Sequence, residues 1–127
     1  MSKIIAIMIG GGLGASCRHT LFLLVQKISP DNFPYGTLAV NLLGSFLIGF
    51  LWGYFEGSRL TPTLRVFIFT GFLGGFTTFS TFAREAMQLF KIGQWKPALA
   101  YVLVSNISGV LLVFAGFYLA QHVWQVK

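Results

Sequence analysis

The amino-acid sequence predicts an all-α integral membrane protein with four transmembrane helices. Only 9% of its 127 residues are charged and 55% are hydrophobic, whereas soluble domains carry about 25% charged residues. The apolar residues form four stretches, each near the ~20 residues that a membrane-spanning helix requires. Most of the nine lysines and arginines lie at the ends of these stretches, where their side chains meet lipid headgroups. We therefore expect residues 1–127 to form a single transmembrane domain of a multi-pass membrane protein.

The first two segments differ in their polar content. The first extends from about Ile4 to Val25 and contains one charged residue, Arg18. The second extends from about Tyr35 to Phe55 and contains no charge, but three of its polar residues recur at helical spacing and share one face. These residues are Thr37, Asn41 and Ser45. The amide of Asn41 is the strongest polar group in this helix, and the commonest role of a membrane asparagine is a hydrogen bond between helices.

The third segment, from about Leu64 to Phe90, is unfavourable for an uninterrupted helix. Residues 71–82 read Gly-Phe-Leu-Gly-Gly-Phe-Thr-Thr-Phe-Ser-Thr-Phe, with three glycines and four hydroxyl residues. We expect a break near Gly74-Gly75. Backbone that leaves the helix at membrane depth must be buried in protein or line a wet cavity. Phe79 and Phe82 follow at i and i+3, so that a helix resumed after the break places both rings on one face.

The fourth segment, from Pro97 to Gln121, is uncharged, and proline suits the first turn of a helix. Tyr101 and Ser105 lie at i and i+4 and share one face. Together with the polar face of the second segment and the threonines of the break, they predict a narrow polar track through the bundle.

The distribution of charge between the two sides of the membrane is nearly even. Four lysines and arginines (Lys3, Arg59, Arg65, Lys127) oppose three (Lys27, Lys91, Lys96). A fixed orientation usually shows a clear positive-inside excess. We therefore favour insertion in both orientations and pairing of two opposed copies about an in-plane axis; the alternative is a weakly biased protein that inserts one way.

The polar track suits a small anion, because it offers amide and hydroxyl donors but little fixed charge. The edges of phenylalanine rings are weakly positive, so Phe79 and Phe82 have the chemistry to contact an anion edge-on. An ion that sheds its water needs replacement donors at successive positions. Arg18 either draws an anion to an entrance or pairs with a helix C-terminus or with Glu85. Core packing is the simpler interpretation of the two rings.

The composition argues against catalysis and nucleic-acid binding. His19 and His122 are far apart in sequence and have no partners at metal-ligand spacing. No serine or cysteine has a base nearby in the sequence, and the chain has no basic stripe for nucleic acid. We expect no enzymatic activity and no nucleic-acid partner.

Several motifs resemble the Fluc (CrcB-like) fluoride channel family over nearly the whole chain. They are residues 34–37 (Pro-Tyr-Gly-Thr), residues 40–46 (Val-Asn-Leu-Leu-Gly-Ser-Phe), residues 70–82 with the glycine-rich break, Glu85, and Gly14-Ala15 with Arg18. The resemblance implies a passive fluoride-selective channel of the bacterial inner (plasma) membrane that expels fluoride from the cytoplasm. It also implies an antiparallel dual-topology homodimer with two pores, in agreement with the even charge distribution.

The resemblance further assigns roles to individual residues. Asn41 donates its amide to fluoride, and Phe79 and Phe82 present their ring edges along the pore. The polar positions beside this path are Thr37, Tyr101 and Ser105, while Arg18 belongs to an aqueous vestibule and Glu85 lies near a pore mouth. The resemblance implies a structural Na⁺ at the dimer interface, held by the carbonyls of Gly74 and Thr77 from both subunits; backbone oxygens freed by a helix break suit a hard cation.

Two other functions share features with this sequence. A proton-coupled small multidrug exporter shares the four helices and dual topology, but it requires an intramembrane acid. The first segment here has Arg18 and no acid. A membrane scaffold protein is the other alternative, in which the polar tracks serve only as hydrogen bonds between helices.

Overall fold

A computed structural model describes residues 2–126, and every regular element in that range is helical. Lys127, one of the charges counted for topology, lies outside the described residues. The described part of the chain contains four segments long and apolar enough to cross a membrane. These segments are Lys3–Ile28, Tyr35–Phe55, Pro62–Lys91 and Trp95–Gln125. The predicted all-α architecture with four membrane-spanning segments is confirmed.

The helices begin where local capping chemistry favours them. Helix α1 (Lys3–Ile28) follows Ser2, whose hydroxyl accepts a hydrogen bond from the Ile5 amide at 3.2 Å. Helix α2 (Tyr35–Phe55) begins directly after Pro34. Helix α3 (residues 62–76) follows Thr61, whose hydroxyl accepts from the Leu64 amide at 3.1 Å. These caps satisfy amides that have no partner inside the helix.

The third segment is divided by residues 77–78, which are extended. Helix α3 runs through π-helical turns at Val66–Leu73 and an α-helical turn at Gly74–Phe76. Helix α4 (Phe79–Lys91) then resumes, and helix α5 (Trp95–Val126) follows a short turn. The predicted break therefore exists, but the expected position near Gly74-Gly75 is wrong by about one turn.

Gly74 and Gly75 both remain helical, and Gly75 permits close packing against α1. A Cβ atom added to Gly75 would lie 2.5 Å from the carbonyl oxygen and 3.0 Å from the Cα of Gly11 in α1. Gly10 and Gly14 of α1 meet the backbone of α3 in the same way. Since lipid supplies no hydrophobic drive between helices, such small residues let backbones approach closely.

Helix α2 packs most extensively against α5. Gly49 and Gly53 of α2 lie against the backbone of α5 at Val113 and Phe117, and Gly116 of α5 lies against Phe46. The two glycine contacts, α1 with α3 and α2 with α5, hold the bundle together at short helix separations. They place the break between α3 and α4 beside the polar face of α2.

The outer faces of the helices are apolar. Large hydrophobic side chains such as Leu24, Ile107 and Leu111 are more than half exposed in the isolated chain. An exposed apolar surface of this extent is unstable in water. It suits contact with lipid or with another subunit.

We predict that Gly14→Ala destabilises the fold, because the added methyl group would overlap the carbonyl of Phe72. Overpacking of this kind costs roughly 1–3 kcal/mol. Gly12→Ala is the matched control, since an added Cβ at Gly12 has no neighbour within 4 Å. The free energy of unfolding in detergent should fall for Gly14→Ala only. Equal stability of the two variants would contradict the close contact between α1 and α3.

Candidate functional site

The break between α3 and α4 is held by the side chain of Asn41. Its amide Nδ2 donates to the Thr78 carbonyl at 3.0 Å, and its Oδ1 accepts from the Thr78 amide at 2.8 Å. One side chain thus satisfies both backbone groups of the residue at which the helix stops. The hydrogen bond between helices that the sequence suggested for Asn41 is confirmed.

This pairing changes the hydrogen bonding of the last turn of α3. In a continuous helix the Thr78 amide would donate to the Gly74 carbonyl four residues earlier, but here it donates to Asn41. The Thr77 carbonyl accepts from the Arg18 guanidinium at 3.4 Å. The carbonyls of Gly74 and Thr77 therefore do not accept the regular helical hydrogen bond from the amide four residues later. Arg18 is a partner of a helix C-terminus, as one interpretation of the sequence expected.

Helix α4 begins directly after Thr78, and its Phe79 and Phe82 form a row of three aromatic rings with Tyr101 of α5. The Thr78 hydroxyl accepts from the Thr81 amide at 3.3 Å and caps the new helix. The ring centroids of Phe79 and Phe82 lie 5.6 Å apart, and those of Phe82 and Tyr101 lie 5.0 Å apart. Phe79 is 77% exposed, while Phe82 and Tyr101 are buried. The shared face predicted for the two phenylalanines is confirmed.

A first cavity of about 320 Å³ adjoins the break. The residues around it from α2 are Asn41, Gly44, Ser45 and Ile48, and those from α3, the break and α4 are Phe69, Leu73, Gly74, Thr77, Thr78 and Phe79. The Ser45 hydroxyl donates to the Asn41 carbonyl of its own helix at 2.8 Å. This cavity therefore combines the freed backbone of the break with the predicted polar face of α2.

A second cavity of about 230 Å³ lies on the other side of Thr78, which lines both cavities. Its residues are Arg18, His19, Phe22, Thr37, Val40, Thr78, Thr81 and Arg84. The lining contains three basic side chains and no carboxylate. Anions are therefore favoured in this cavity on electrostatic grounds.

Four buried polar oxygens of the described residues make no hydrogen bond of ordinary length and geometry, although Thr37, Glu85 and Tyr101 lie close enough to interact with one another. They are Thr37 Oγ1, Glu85 Oε1, the Tyr101 hydroxyl and Ser105 Oγ. Buried polar groups are paired in the great majority of cases, so that each exception needs an explanation. Glu85 faces both Thr37 and Tyr101, which makes this a connected group. Such a set of unpaired oxygens suits a path for water or for a polar ligand.

Glu85 also lines a third cavity, of about 390 Å³, towards the end of α4. The other residues of this cavity are Gln26, Asn32, Pro34, Gln88, Leu89, Lys91 and Ile92. The unpaired oxygens of Thr37 and Glu85 connect it with the second cavity. The three cavities are therefore neighbours: Thr78 lines the first and the second, and Glu85 of the third faces Thr37 of the second.

The sequence-predicted site residues converge in the fold. Arg18, Thr37, Asn41, Gly74, Thr77, Phe79 and Glu85 line the three cavities. Phe82 contacts Phe79 and Tyr101, and Tyr101 lies against Thr37. Ser105 is partly buried on α5 and lines none of these cavities. Sequence reasoning missed His19 and Arg84 as members of the site. Their only sequence signal is their position next to Arg18 and Glu85.

The site contains no constellation for catalysis or for a metal held by side chains. Among residues 2–126, no group of three His, Cys, Asp or Glu side chains could hold a metal ion. The oxygens suited to a hard cation are the released carbonyls of Gly74 and Thr77. The remaining groups are amide and hydroxyl donors, aromatic edges and a few charges.

Comparison with known proteins identifies relatives over nearly the full chain. The family described as CrcB-like protein, Camphor Resistance (CrcB), matches residues 5–117. A Parabacteroides distasonis protein named fluoride-specific ion channel FluC is 43% identical over 123 residues, covering 97% of this chain and 96% of the relative. Proteins of the same name from Salinibacter ruber and Bacteroides fragilis are 47% and 44% identical, covering 91% and 96% of this chain and 87% and 98% of those relatives.

We predict that Asn41→Asp destabilises the protein, because a carboxylate keeps the acceptor for the Thr78 amide but loses the donor to its carbonyl. An unsatisfied buried group costs about 1–3 kcal/mol. Asn32→Asp is the matched control, because Asn32 is exposed in the loop between α1 and α2, outside the membrane-spanning segments. Unfolding in detergent should separate the two variants, and similar stabilities would show that Asn41 does not hold the break.

Proposed function

This chain belongs to the CrcB-like family, and we propose that it is a fluoride-selective channel through which fluoride leaves the cytoplasm passively. The observation that carries the proposal is the set of unpaired polar oxygens and donors that runs from the break to Glu85. The names of its relatives identify the anion. As a member of a family of ion channels, the protein is a transporter rather than an enzyme.

In this proposal, fluoride contacts Asn41 and the two phenylalanines next to the break. One N–H of the Asn41 amide is bonded to Thr78, and an amide NH₂ has a second donor that remains for the ion. The positive edges of Phe79 and Phe82 supply further contacts without fixed charge. Because the two hydrogen bonds to Thr78 fix the orientation of the Asn41 amide, its second N–H needs no reorganisation when fluoride arrives.

The hydroxyls of Thr37, Tyr101 and Ser105 provide the next donors along the path. Each is buried or half-buried and makes no hydrogen bond of ordinary length and geometry among the described residues. A dehydrated anion gains most from donors that are not already engaged. In this proposal Arg18, at the second cavity, belongs to the vestibule, and Glu85, at the third cavity, lies near the pore mouth.

The proposed assembly is an antiparallel homodimer with two pores in the bacterial inner (plasma) membrane. Its support is the even distribution of basic residues across the membrane and the apolar faces left exposed on the single chain. A second copy would cover part of this surface. The first cavity, with the exposed ring of Phe79, lies on the outside of the bundle and would then be enclosed.

A structural Na⁺ at the dimer axis is the remaining part of the proposal. The Gly74 carbonyl fits this role, because it is released from the helical ladder and Gly74 is exposed at the first cavity. The Thr77 carbonyl accepts from Arg18, and its second lone pair remains for a cation. Two opposed copies would contribute four such oxygens. A bound cation would neutralise the negative ends of the two broken helices.

We predict selective fluoride efflux from liposomes loaded with potassium fluoride once valinomycin is added. Chloride-loaded vesicles should release little. Phe82→Ile should lower the fluoride rate at least about tenfold, which corresponds to about 1.4 kcal/mol of barrier, because an aliphatic side chain has no positive edge. Phe114→Ile, at an exposed ring on α5, is the control and should keep the rate. Well-folded protein without fluoride efflux would refute the proposed function.

We predict that the loop between α1 and α2 and the loop between α2 and α3 are each accessible from either side of the membrane. Cys17→Ser removes the single cysteine, and either Asp31→Cys or Arg59→Cys then supplies one exposed thiol. A membrane-impermeant maleimide should label about half of the molecules in each case, since a dual-topology protein inserts in both orientations. Complete labelling at one position with none at the other would establish a single orientation.

A further inference from the structure

An apolar groove of about 340 Å³ lies on the surface of the bundle between α4 and α5. Its floor consists of the buried Ala98 and the half-buried Ala86 and Val102, which pack on the core of the bundle. Its walls are Phe90, Trp95 and Leu99, and each of these large side chains is more than half exposed. Short side chains between large exposed ones leave an open channel along the helix pair.

The groove begins at the membrane surface and continues into one leaflet. Trp95 is the first residue of α5, and tryptophan is enriched where the headgroups meet the hydrocarbon. Val102 lies seven residues further along the helix, a distance of about 10 Å. One leaflet contributes about 15 Å of hydrocarbon. Because every residue of the lining is apolar, the groove matches the upper part of a lipid acyl chain.

A positive charge stands at the surface end of the groove. The Lys96 ammonium lies 5.5 Å from the centroid of the Trp95 ring, within the range of a cation–π contact. Helix α4 ends at Lys91, and Gly93, with φ of 83°, allows the tight turn into α5. Residues 86–102 contain these two lysines and no acidic residue. The chain segment that forms the groove is therefore cationic at its surface end.

The loop between α1 and α2 brings one acidic residue to this end of the bundle. Asp31 lines a separate cavity with Gln94 and Pro97, and its Oδ1 accepts from the Phe33 amide at 3.0 Å. Three lysines lie at the same end, in the last turns of α1 and α4 and the first turn of α5. The charge at this membrane surface thus remains positive.

We propose that the groove binds an anionic phospholipid, with one acyl chain between α4 and α5 and the phosphodiester group at Lys96. This inference goes beyond fluoride conduction and does not depend on it. A basic residue near the membrane surface favours anionic lipid about fivefold, which corresponds to about 1 kcal/mol. The groove shares no residue with the first cavity, where we place the contact with a second copy, so lipid is the occupant that the charge and the position favour.

The experiment measures the quenching of Trp95 fluorescence by brominated lipid in reconstituted protein. Trp52→Phe combined with Trp124→Phe leaves Trp95 as the single tryptophan. The probes are phosphatidylglycerol and phosphatidylcholine with bromine on the upper part of one acyl chain, each diluted into unbrominated phosphatidylcholine. At equal mole fraction, phosphatidylglycerol should quench Trp95 with an apparent affinity about fivefold higher than that of phosphatidylcholine.

Two lysine variants distinguish a site from general surface attraction. Lys96→Gln should reduce the affinity ratio to below about two, because the charge next to the groove is lost. Lys27→Gln is the matched control, since it removes the same charge from the same end of the bundle, and the exposed Lys27 does not line the groove. This control should keep the fivefold ratio. Equal losses in the two variants would overturn the site.

Two further outcomes would also overturn the proposal. A ratio of one in the protein that retains Lys96 would show that the groove has no preference for anionic lipid. Absence of quenching by either lipid in folded protein would show that another protein surface, such as a second copy, covers the groove.

A second measurement uses the chain with all three tryptophans. Because a ligand of the folded state raises the unfolding temperature, phosphatidylglycerol added to protein in detergent should raise Tm more than phosphatidylcholine does. Lys96→Gln should abolish this difference, and Lys27→Gln should retain it. An equal Tm with both lipids in the wild-type protein would contradict the proposal. Neither measurement uses fluoride efflux, so a failure of the lipid site leaves the proposed channel function intact.

Discussion

The architecture depends on the two hydrogen bonds between Asn41 and the backbone of Thr78. A helix that stops inside a membrane leaves an amide and a carbonyl without partners, each at a cost of several kcal/mol in hydrocarbon. The Asn41 side chain satisfies both groups, at 2.8 and 3.0 Å. This allows the carbonyls of Gly74 and Thr77 to leave the ladder and lets Thr78 cap the next helix. The cavities on both sides of Thr78 exist because the helix stops there.

Close helix packing is the second condition for this arrangement. Asn41 reaches the break only because α2 and α3 are held at a fixed separation. The glycines of α1 and α3 interlock with backbone carbonyls, and those of α2 and α5 do the same on the other side of the bundle. The π-helical turns at Val66–Leu73 lie within the first of these contacts. Such wide turns are rare and frequently occur at functional sites.

The polar path combines neutral donors with charges at its ends. A fixed cation inside a narrow path would hold an anion too tightly for conduction, whereas amide and hydroxyl donors replace hydration without that penalty. The unpaired oxygens of Thr37, Tyr101 and Ser105 provide such groups. The basic side chains of Arg18 and Arg84 line the second cavity. Neutral donors that replace hydration are the physical basis of the proposed function.

The sequence by itself determined the class of the fold, because hydrophobicity and helical length are properties of local segments. The four spanning segments, the presence of a break and the shared face of Phe79 and Phe82 all follow from composition and spacing. Only the tertiary structure decided where the break lies. Glycine in a membrane helix permits either a break or close packing, and Gly75 serves packing against α1. The break falls at Thr77 and Thr78 because Asn41, distant in sequence, supplies its hydrogen bonds there. Likewise, His19 and Arg84 line one cavity only because α1 and α4 both border it. Sequence spacing does not encode this proximity.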